Sequence, residues 1–316
     1  MVHSIADCFF PATGYAVRPR QGKSCFMKTK TSGSPALSEH GFTRVELTAV
    51  IIAVAFLGAL VLPALAKGHA GSRTVVCLNN HRQLARSCLL YSQDVNGRLP
   101  NNYSLPATET AISTGAFDNW VNNIMTWGAS ASLDDVSNTN VAWAENGPLS
   151  PYLHSNISFF KCSADIYLGA AQRQKRWSAR LRSVSMNGFF GLTDTNPSSL
   201  SGRSWAEGGK YRQFLKTTDV PIPAMTWLTI DEHADSVNDG FFIVSATATS
   251  WGDLPASYHE GACGFSFADG HSEMHKWLSA TSRYPVKYIF STRPLDAAGK
   301  KDFQWYKDRI QLILFR

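Results

Sequence analysis

Three residues near the C-terminus have the types and the spacing to bind a metal ion. His271, Glu273 and His275 alternate along a predicted strand, so their side chains would form a row on one face of a sheet. Imidazole and carboxylate groups are ligands for zinc and other divalent ions. A solvent-exposed strand face is the alternative interpretation, because the sequence identifies no fourth ligand.

A second group could bind calcium through carboxylates. It consists of Asp231, Glu232, Asp235 and Asp239. Their spacing does not fit an EF-hand loop, and a capped turn is the alternative interpretation. No cofactor is therefore predicted, although calcium or zinc remains open at these two places.

A β-hairpin is expected to position the histidine row. Alternating residues lead into Asp269 and Gly270, a pair preferred in two-residue type I′ turns. Such a turn would place Ser266 opposite Glu273 and Gly264 opposite His275. The other face of the hairpin would then be its core face, made of Cys263, Phe265, Phe267 and Met274.

The longest apolar run occupies residues 47–66, with Thr48 as its only polar side chain. A helix of 20 residues spans about 30 Å, the thickness of the hydrocarbon core of a bilayer. The run therefore predicts a single transmembrane helix. A cleaved secretory signal is the alternative, because Ala64 and Ala66 form a small-x-small cleavage pattern. Glu46 at the edge of the run would need a cationic partner and is a candidate functional residue.

The residues around this run resemble the type IV prepilin and type II secretion pseudopilin signature. The motif is GFTRVEL at residues 41–47, followed directly by the apolar run. The resemblance implies cleavage between Gly41 and Phe42 by a prepilin peptidase, methylation of the Phe42 amino group, and a role in assembly for Glu46. The sequence departs from the family at Arg44 and Thr48, where aliphatic residues are usual.

Later segments resemble a group of large pseudopilin-like proteins. They are CLNNHRQL at residues 77–84, FKCSAD at 160–165, RSVSMNG at 182–188 and DEHADSVNDG at 231–240. HEGACGFSFADGH at residues 259–271 resembles their His-x9-Asp-Gly motif. We expect His259, Asp269 and Gly270 to be structural and to make hydrogen bonds around the hairpin.

The chain divides into three predicted regions. Residues 1–41 are a leader, with a possible true start at Met27; residues 42–66 are a prepilin-type transmembrane helix; and residues 67–316 are a globular head. Apolar residues at helical spacing extend the helix to about residue 95, unless it breaks at Gly68 or Gly71. They are Cys77, Leu84, Cys88 and Tyr91. The fold class is α+β: a long N-terminal helix, transmembrane in its first half, packed on an antiparallel β-sheet head.

The processed chain would contain four cysteines, which allow three disulfide connectivities. They are Cys77, Cys88, Cys162 and Cys263. We favour Cys77 with Cys162, because both lie in segments that carry the resemblance, whereas Cys88 and Cys263 fit buried thiols.

Composition and motifs limit the function. With 44% hydrophobic and 17% charged residues the chain is not disordered, and its net charge of +6 comes without a basic and aromatic run for nucleic acid. No catalytic motif is present. We expect a non-enzymatic pseudopilin-like subunit, single-pass in the inner membrane with its head in the periplasm or outside the cell. Its expected partners are prepilin peptidase, other pseudopilin subunits and the inner membrane.

Two alternatives remain open. One is a secreted metal-dependent hydrolase that uses the His271 row, and the other is a surface protein that binds glycans through exposed tryptophans. The tryptophans considered are Trp120, Trp127, Trp143, Trp177, Trp205 and Trp251.

Overall fold

A computed structural model describes residues 42–125, 136–245, 247–289 and 291–316, except for the side chains of residues 60–70. The predicted leader, including Met27 and Gly41, lies outside these residues. The chain divides into two units, Met1–Phe56 and Leu57–Arg316.

Helix α1 is continuous over 51 residues, Arg44–Asp94. The helix ends at Asp94, close to residue 95 as predicted. Asn96 and Gly97 follow it, and both have positive φ angles, 58° and 78°. The predicted stripe is also confirmed, since Cys77, Leu84 and Cys88 are buried. The alternative of two helices broken at Gly68 or Gly71 is excluded.

The prediction that the first half of α1 is transmembrane is corrected. Among the residues that the structure describes, no helix combines the length and the apolar composition needed to cross a membrane. Residues 60–66 of the predicted span have side chains outside the described residues.

The second unit contains a five-stranded sheet with the spatial order β3-β1-β2-β5-β6. Most neighbours are antiparallel, but β1 and β3 are parallel, so the sheet is mixed rather than wholly antiparallel as predicted. A long connection between the two strands allows this pairing. The strands are β1 Val184–Asn187, β2 Trp227–Asp231, β3 Phe241–Phe242, β4 Ser250–Trp251, β5 Ala262–Phe267, β6 Ser272–Lys276 and β7 Arg293–Pro294; β4 and β7 form a separate pair.

Short helices and loops make up most of the chain between α1 and β1 and also connect the strands. The α-helices after α1 are α2 Leu105–Ser113, α3 Val141–Glu145, α4 Ala170–Gln174, α5 Pro197–Leu200 and α6 Ala297–Asp308. Single 3-10 turns cover Ser150–Leu153, Ile157–Phe160, Ala206–Gly209, Thr217–Asp219 and Pro223–Met225.

The two faces of the sheet pack differently. On one face, the ring of His81 in α1 reaches the Thr229 hydroxyl of β2 at 2.7 Å. On the other, aromatic rings from α6 pack on Trp227 and Phe265. The register of β2 shifts between Trp227 and Thr229, which lets Trp227 face the aromatic core while Thr229 faces α1.

The predicted hairpin is present, but its register differs by one residue. Cys263 pairs with His275 and Phe265 with Glu273. The connection has three residues, and only Gly270 of the Asp269-Gly270 pair has a positive φ, 97°. A one-residue slip moves every partner to the other face. His275 and Glu273 therefore share a face with Cys263, Phe265 and Phe267, whereas Met274, predicted for that face, pairs with Gly264 on the other one.

Candidate metal centre

Four side chains from distant parts of the sequence meet in the interior of the second unit. Cys77, Cys162, Asp231 and His259 each contribute one potential ligand atom, and these atoms lie within 4.8 Å of one another. Cys77, Cys162 and Asp231 are fully buried, and His259 is 9% exposed. This group, called the Cys-Asp-His cluster below, could hold a metal ion.

Each member of the cluster comes from a different element. Cys77 projects from the buried stripe of α1, and Cys162 follows the 3-10 turn Ile157–Phe160. Asp231 is the last residue of the central strand β2. His259 lies in the loop before β5, where its main chain pairs with that of Ala262. The cluster therefore connects the helix, the sheet and two loops.

The distances within the cluster are short. Cys77 Sγ lies 3.0 Å from Asp231 Oδ2, and Cys162 Sγ lies 3.1 Å from His259 Nε2. His259 Nε2 is 3.9 Å from the same Asp231 Oδ2. All four ligand atoms are thus turned toward one point.

Neighbouring groups fix the orientation of two of these ligands. His81, one helical turn after Cys77, places Nε2 3.1 Å from Asp231 Oδ1. The main-chain N–H of Gly264 donates to Asp231 Oδ2 at 3.2 Å. The Thr74 hydroxyl lies 3.2 Å from His259 Nδ1, which leaves Nε2 directed at the cluster.

Gly264 of β5 leaves no room for a larger residue beside the cluster. A Cβ atom built at this position would lie 2.7 Å from Asp231 Oδ2 and 2.8 Å from the His81 ring. These distances are shorter than real Cβ contacts. The strand can therefore approach the carboxylate this closely only with glycine.

Electrostatics keep the thiols protonated when no metal is bound. The pKa of Cys77 is raised by its hydrogen bond with Cys162 and by burial, and burial raises the pKa of Cys162. Burial lowers the pKa of His259, so its imidazole is neutral. Burial alone would raise the pKa of Asp231, but His81 and Cys77 outweigh it and the pKa is lowered. Protonated, buried thiols are poor nucleophiles, which argues against cysteine catalysis here.

The prediction that Cys77 pairs with Cys162 is confirmed for their proximity but not for a disulfide bond. The two residues meet in the cluster, but all four described cysteines are free thiols. Cys88 and Cys263 are buried thiols, as expected.

The His271 row does not assemble into a ligand set. His271 stacks on Phe267 and places Nδ1 2.6 Å from Asp269 Oδ1. Glu273 Oε1 lies 4.0 Å from Arg309 Nε, and His275 stacks on Trp305 with ring centroids 3.6 Å apart. Within the described residues, the Cys-Asp-His cluster is the group of donors that converges, and this row is not part of it.

The four acidic residues considered for calcium do not point to a common site either. Glu232 accepts hydrogen bonds from Ser185 and Ser236, and Asp235 accepts them from the main chain of Lys287 and Tyr288. Asp239 caps the N–H of Phe241, and Asp231 belongs to the cluster. Each carboxylate has its own partners.

The His-x9-Asp-Gly residues occupy two separate places. The main chain of His259 pairs with that of Ala262 at the start of the hairpin strand β5, while its side chain contacts Thr74 and Cys162. Asp269 contacts His271 in the hairpin connection. Glu260 (φ 53°) and Gly261 (φ 88°), which lie between His259 and Ala262, both have the positive φ angles that a type I′ turn requires. This turn connects His259 of the cluster to strand β5.

Glu46 has a local partner at the start of α1. The Thr43 N–H donates to Glu46 Oε2 at 2.8 Å, and the Glu46 N–H donates to Thr43 Oγ1 at 3.2 Å. This reciprocal pair is a capping box. Thr43-x-x-Glu46 is the sequence signature of this box.

The tryptophans considered for glycan binding differ in exposure. Trp120 and Trp251 are fully buried, and Trp205 is 58% exposed. Trp143 and Trp177 are half-buried, and Trp127 lies outside the described residues.

The cluster was missed because its members are far apart in sequence. One signal was available: Cys77, Cys162, Asp231 and His259 each lie in one of the segments that carry the resemblance. Four such segments, each with at least two Cys, His, Asp or Glu residues, would have favoured a common site. Comparisons with protein-family models, curated proteins and solved structures find no match for this chain.

Proposed function

We propose that this chain is a non-catalytic, pseudopilin-like subunit of a type II secretion or type IV pilus-like assembly. The observation that supports this proposal is the exposed apolar surface at the start of α1. Its large side chains are between 49% and 79% exposed in the isolated chain. They are Phe42, Val45, Leu47, Val50, Ile51, Ile52, Val54, Phe56 and Leu57. An apolar surface of this extent marks an interaction site.

The proposed partners of this surface are the same segments of further subunits. A helix with apolar side chains on all sides is stable when other apolar elements cover it, and in the proposal the matching helices of neighbouring subunits do so. A single continuous helix that is exposed at its start and buried at its end suits such a subunit. Its exposed first part would contact other subunits, and its buried second part packs on the sheet.

The proposal includes cleavage between Gly41 and Phe42 by a prepilin peptidase. Mass spectrometry of the chain produced together with such a peptidase should find N-methylated Phe42 as the first residue. A mature chain that begins at Lys67 would indicate an ordinary secretory signal and would contradict the proposal.

Glu46 provides the sharper test, because the capping box offers a competing explanation for this residue. In the proposal, its carboxylate pairs with the Phe42 amino group of a neighbouring subunit. Glu46→Gln keeps an acceptor for the Thr43 N–H but removes the charge. Glu46→Ala removes both, and Thr43→Ala removes the cap but keeps the charge.

Crosslinking of the processed variants should separate these roles. We expect Glu46→Gln and Glu46→Ala to lose assembly together, and Thr43→Ala to assemble. If Glu46→Gln assembles like the unmodified chain while Glu46→Ala and Thr43→Ala do not, Glu46 is only a helix cap. Crosslinking that finds monomers of the unmodified chain would contradict the subunit role itself.

A further inference from the structure

We infer that Cys77, Cys162, Asp231 and His259 form a structural zinc site that joins α1 to the sheet. The inference goes beyond the proposed assembly role, which does not use these residues.

The donor set selects the metal. Two sulfurs, one imidazole nitrogen and one carboxylate oxygen form a tetrahedral set typical of zinc. Calcium requires six or more oxygen ligands, which this cluster does not offer.

The geometry needs only small adjustments to take the ion. A tetrahedral site with zinc bonds of about 2.3 Å to sulfur and about 2.0–2.2 Å to nitrogen and oxygen has edges of about 3.3–3.8 Å. The contacts of Asp231 Oδ2 with Cys77 Sγ and with His259 Nε2 are 3.0 Å and 3.9 Å. Cys162 Sγ and His259 Nε2 are 3.1 Å apart. These three distances differ from the matching edges by about 0.5 Å, and no two of the four ligand atoms are more than 4.8 Å apart. Side-chain shifts of up to about 1 Å therefore bring the four atoms to ligand positions.

The surrounding groups already orient the ligands for this role. Bound zinc ligands usually hold a hydrogen-bond partner on their other atom. Here His81 contacts Asp231 Oδ1, and Oδ2, which accepts the Gly264 N–H, keeps a lone pair for the ion. Thr74 contacts His259 Nδ1, which leaves Nε2. His81 is thus a positioning residue for Asp231.

The site is closed, which suits a structural rather than a catalytic metal. Four protein ligands fill the tetrahedron, and three of them are inaccessible to solvent. His259, 9% exposed, borders a groove of about 350 Å³ with Arg73, Thr74 and Tyr258. This groove gives the ion a path to the site.

Two other states of the same residues compete with zinc. The thiols could remain as a protonated, hydrogen-bonded cluster, or Cys77 and Cys162 could oxidise to a disulfide. The first state binds no metal under reducing conditions, and the second removes both sulfur ligands.

The test uses the reduced full chain and its zinc content, measured by elemental analysis and by competition with a zinc-binding dye. We expect one zinc per chain. Cys162→Ser should weaken zinc binding at least 100-fold, and His81→Gln about 10- to 100-fold. Cys88→Ser is the matched control, a buried thiol on α1 outside the cluster, and should bind like the unmodified chain.

Cobalt substitution of the unmodified chain keeps the inference testable if Cys162→Ser does not fold. Tetrahedral cobalt with thiolate ligands should give sulfur-to-metal charge-transfer absorption and intense visible bands. A reduced chain that takes up no zinc, cobalt absorption without thiolate character, or equal zinc affinity in Cys162→Ser would overturn the inference. A Cys77–Cys162 disulfide in the chain as isolated, with no zinc uptake after reduction, would overturn it as well. Failure of assembly in the Glu46 variants would leave these results unchanged.

Discussion

The His81–Asp231 and His271–Asp269 pairs have the same chemistry and opposite surroundings. The nearest atoms of the first pair are 3.1 Å apart, and both side chains are fully buried. The second pair is closer, at 2.6 Å, but its side chains are 43% and 36% exposed. Short histidine–carboxylate distances thus occur both in the interior and at the surface, so the distance alone does not identify a ligand site. Burial and convergence of further donors distinguish the first pair from the second.

Removal of the two carboxylates should show the largest contrast. Asp231→Ala leaves His81, Cys77 and the Gly264 N–H without their acceptor in the interior, so we expect a loss of about 3–5 kcal/mol in the free energy of unfolding. Asp269→Ala removes an exposed pair and should cost less than about 1 kcal/mol. Urea unfolding of both variants measures the difference. Equal losses would show that burial does not separate the two pairs.

A methyl group added at the glycine beside each pair should give the next contrast. Gly264→Ala forces a Cβ into the space held by Asp231 Oδ2 and His81, and should destabilise the fold by about 2–3 kcal/mol. Gly270→Ala meets only Leu89 at 3.4 Å, and its strain comes from the φ of 97°. We expect about 1 kcal/mol for this backbone strain. Thermal unfolding checks both variants, and a larger loss at Gly270 would reverse the assignment of the tighter site.

His275 should make stability depend on pH. Its pKa is lowered to about 4, mainly by burial, where it stacks on Trp305. The unfolded chain takes up this proton near pH 6.5, but the folded chain only near pH 4. Stability that is present above about pH 6.5 is therefore lost as the pH falls toward 4.

The matched variant His275→Phe keeps an aromatic ring on Trp305 but cannot take up a proton. Because the histidine is partly exposed, we expect the unmodified chain to lose only about 1 kcal/mol more than this variant between pH 7 and pH 4. The measurement is the free energy of unfolding of both chains across this range. Parallel curves would show that His275 is not buried in its neutral form.

His271→Ala should have the smallest effect. The ring is exposed and pairs only with Asp269 and the face of Phe267, so we expect a change within about 0.5 kcal/mol. Zinc content of this variant should equal that of the unmodified chain. A loss of zinc here would move the metal site to the hairpin.

The predictable parts of this fold are those set by local pattern. The continuous helix and its buried stripe follow from residues three, four and seven apart, and the helix end follows from Asn96 and Gly97. The hairpin was predicted as an element, but its register was not. The Asp269-Gly270 pair predicted a two-residue connection. The observed connection has three residues, and Phe267 stacks on His271 across it.

The site depends on tertiary structure and could not be derived from spacing. Cys77, Cys162, Asp231 and His259 are brought together only when α1 packs on β2 and two loops close around them. The alternating row on β6 is conspicuous in the sequence because its members are two residues apart. The hairpin register differs from the predicted one by one residue, so His275 faces Trp305 and not another ligand.

The inferred zinc site is the Cys-Asp-His cluster and not the His271 row. Zinc K-edge X-ray absorption of the zinc-loaded full chain tests it most directly, because sulfur ligands at about 2.3 Å are resolved from nitrogen and oxygen ligands at about 2.0–2.1 Å. The cluster predicts two sulfur and two nitrogen or oxygen ligands. A zinc ion with no sulfur ligands would contradict this assignment.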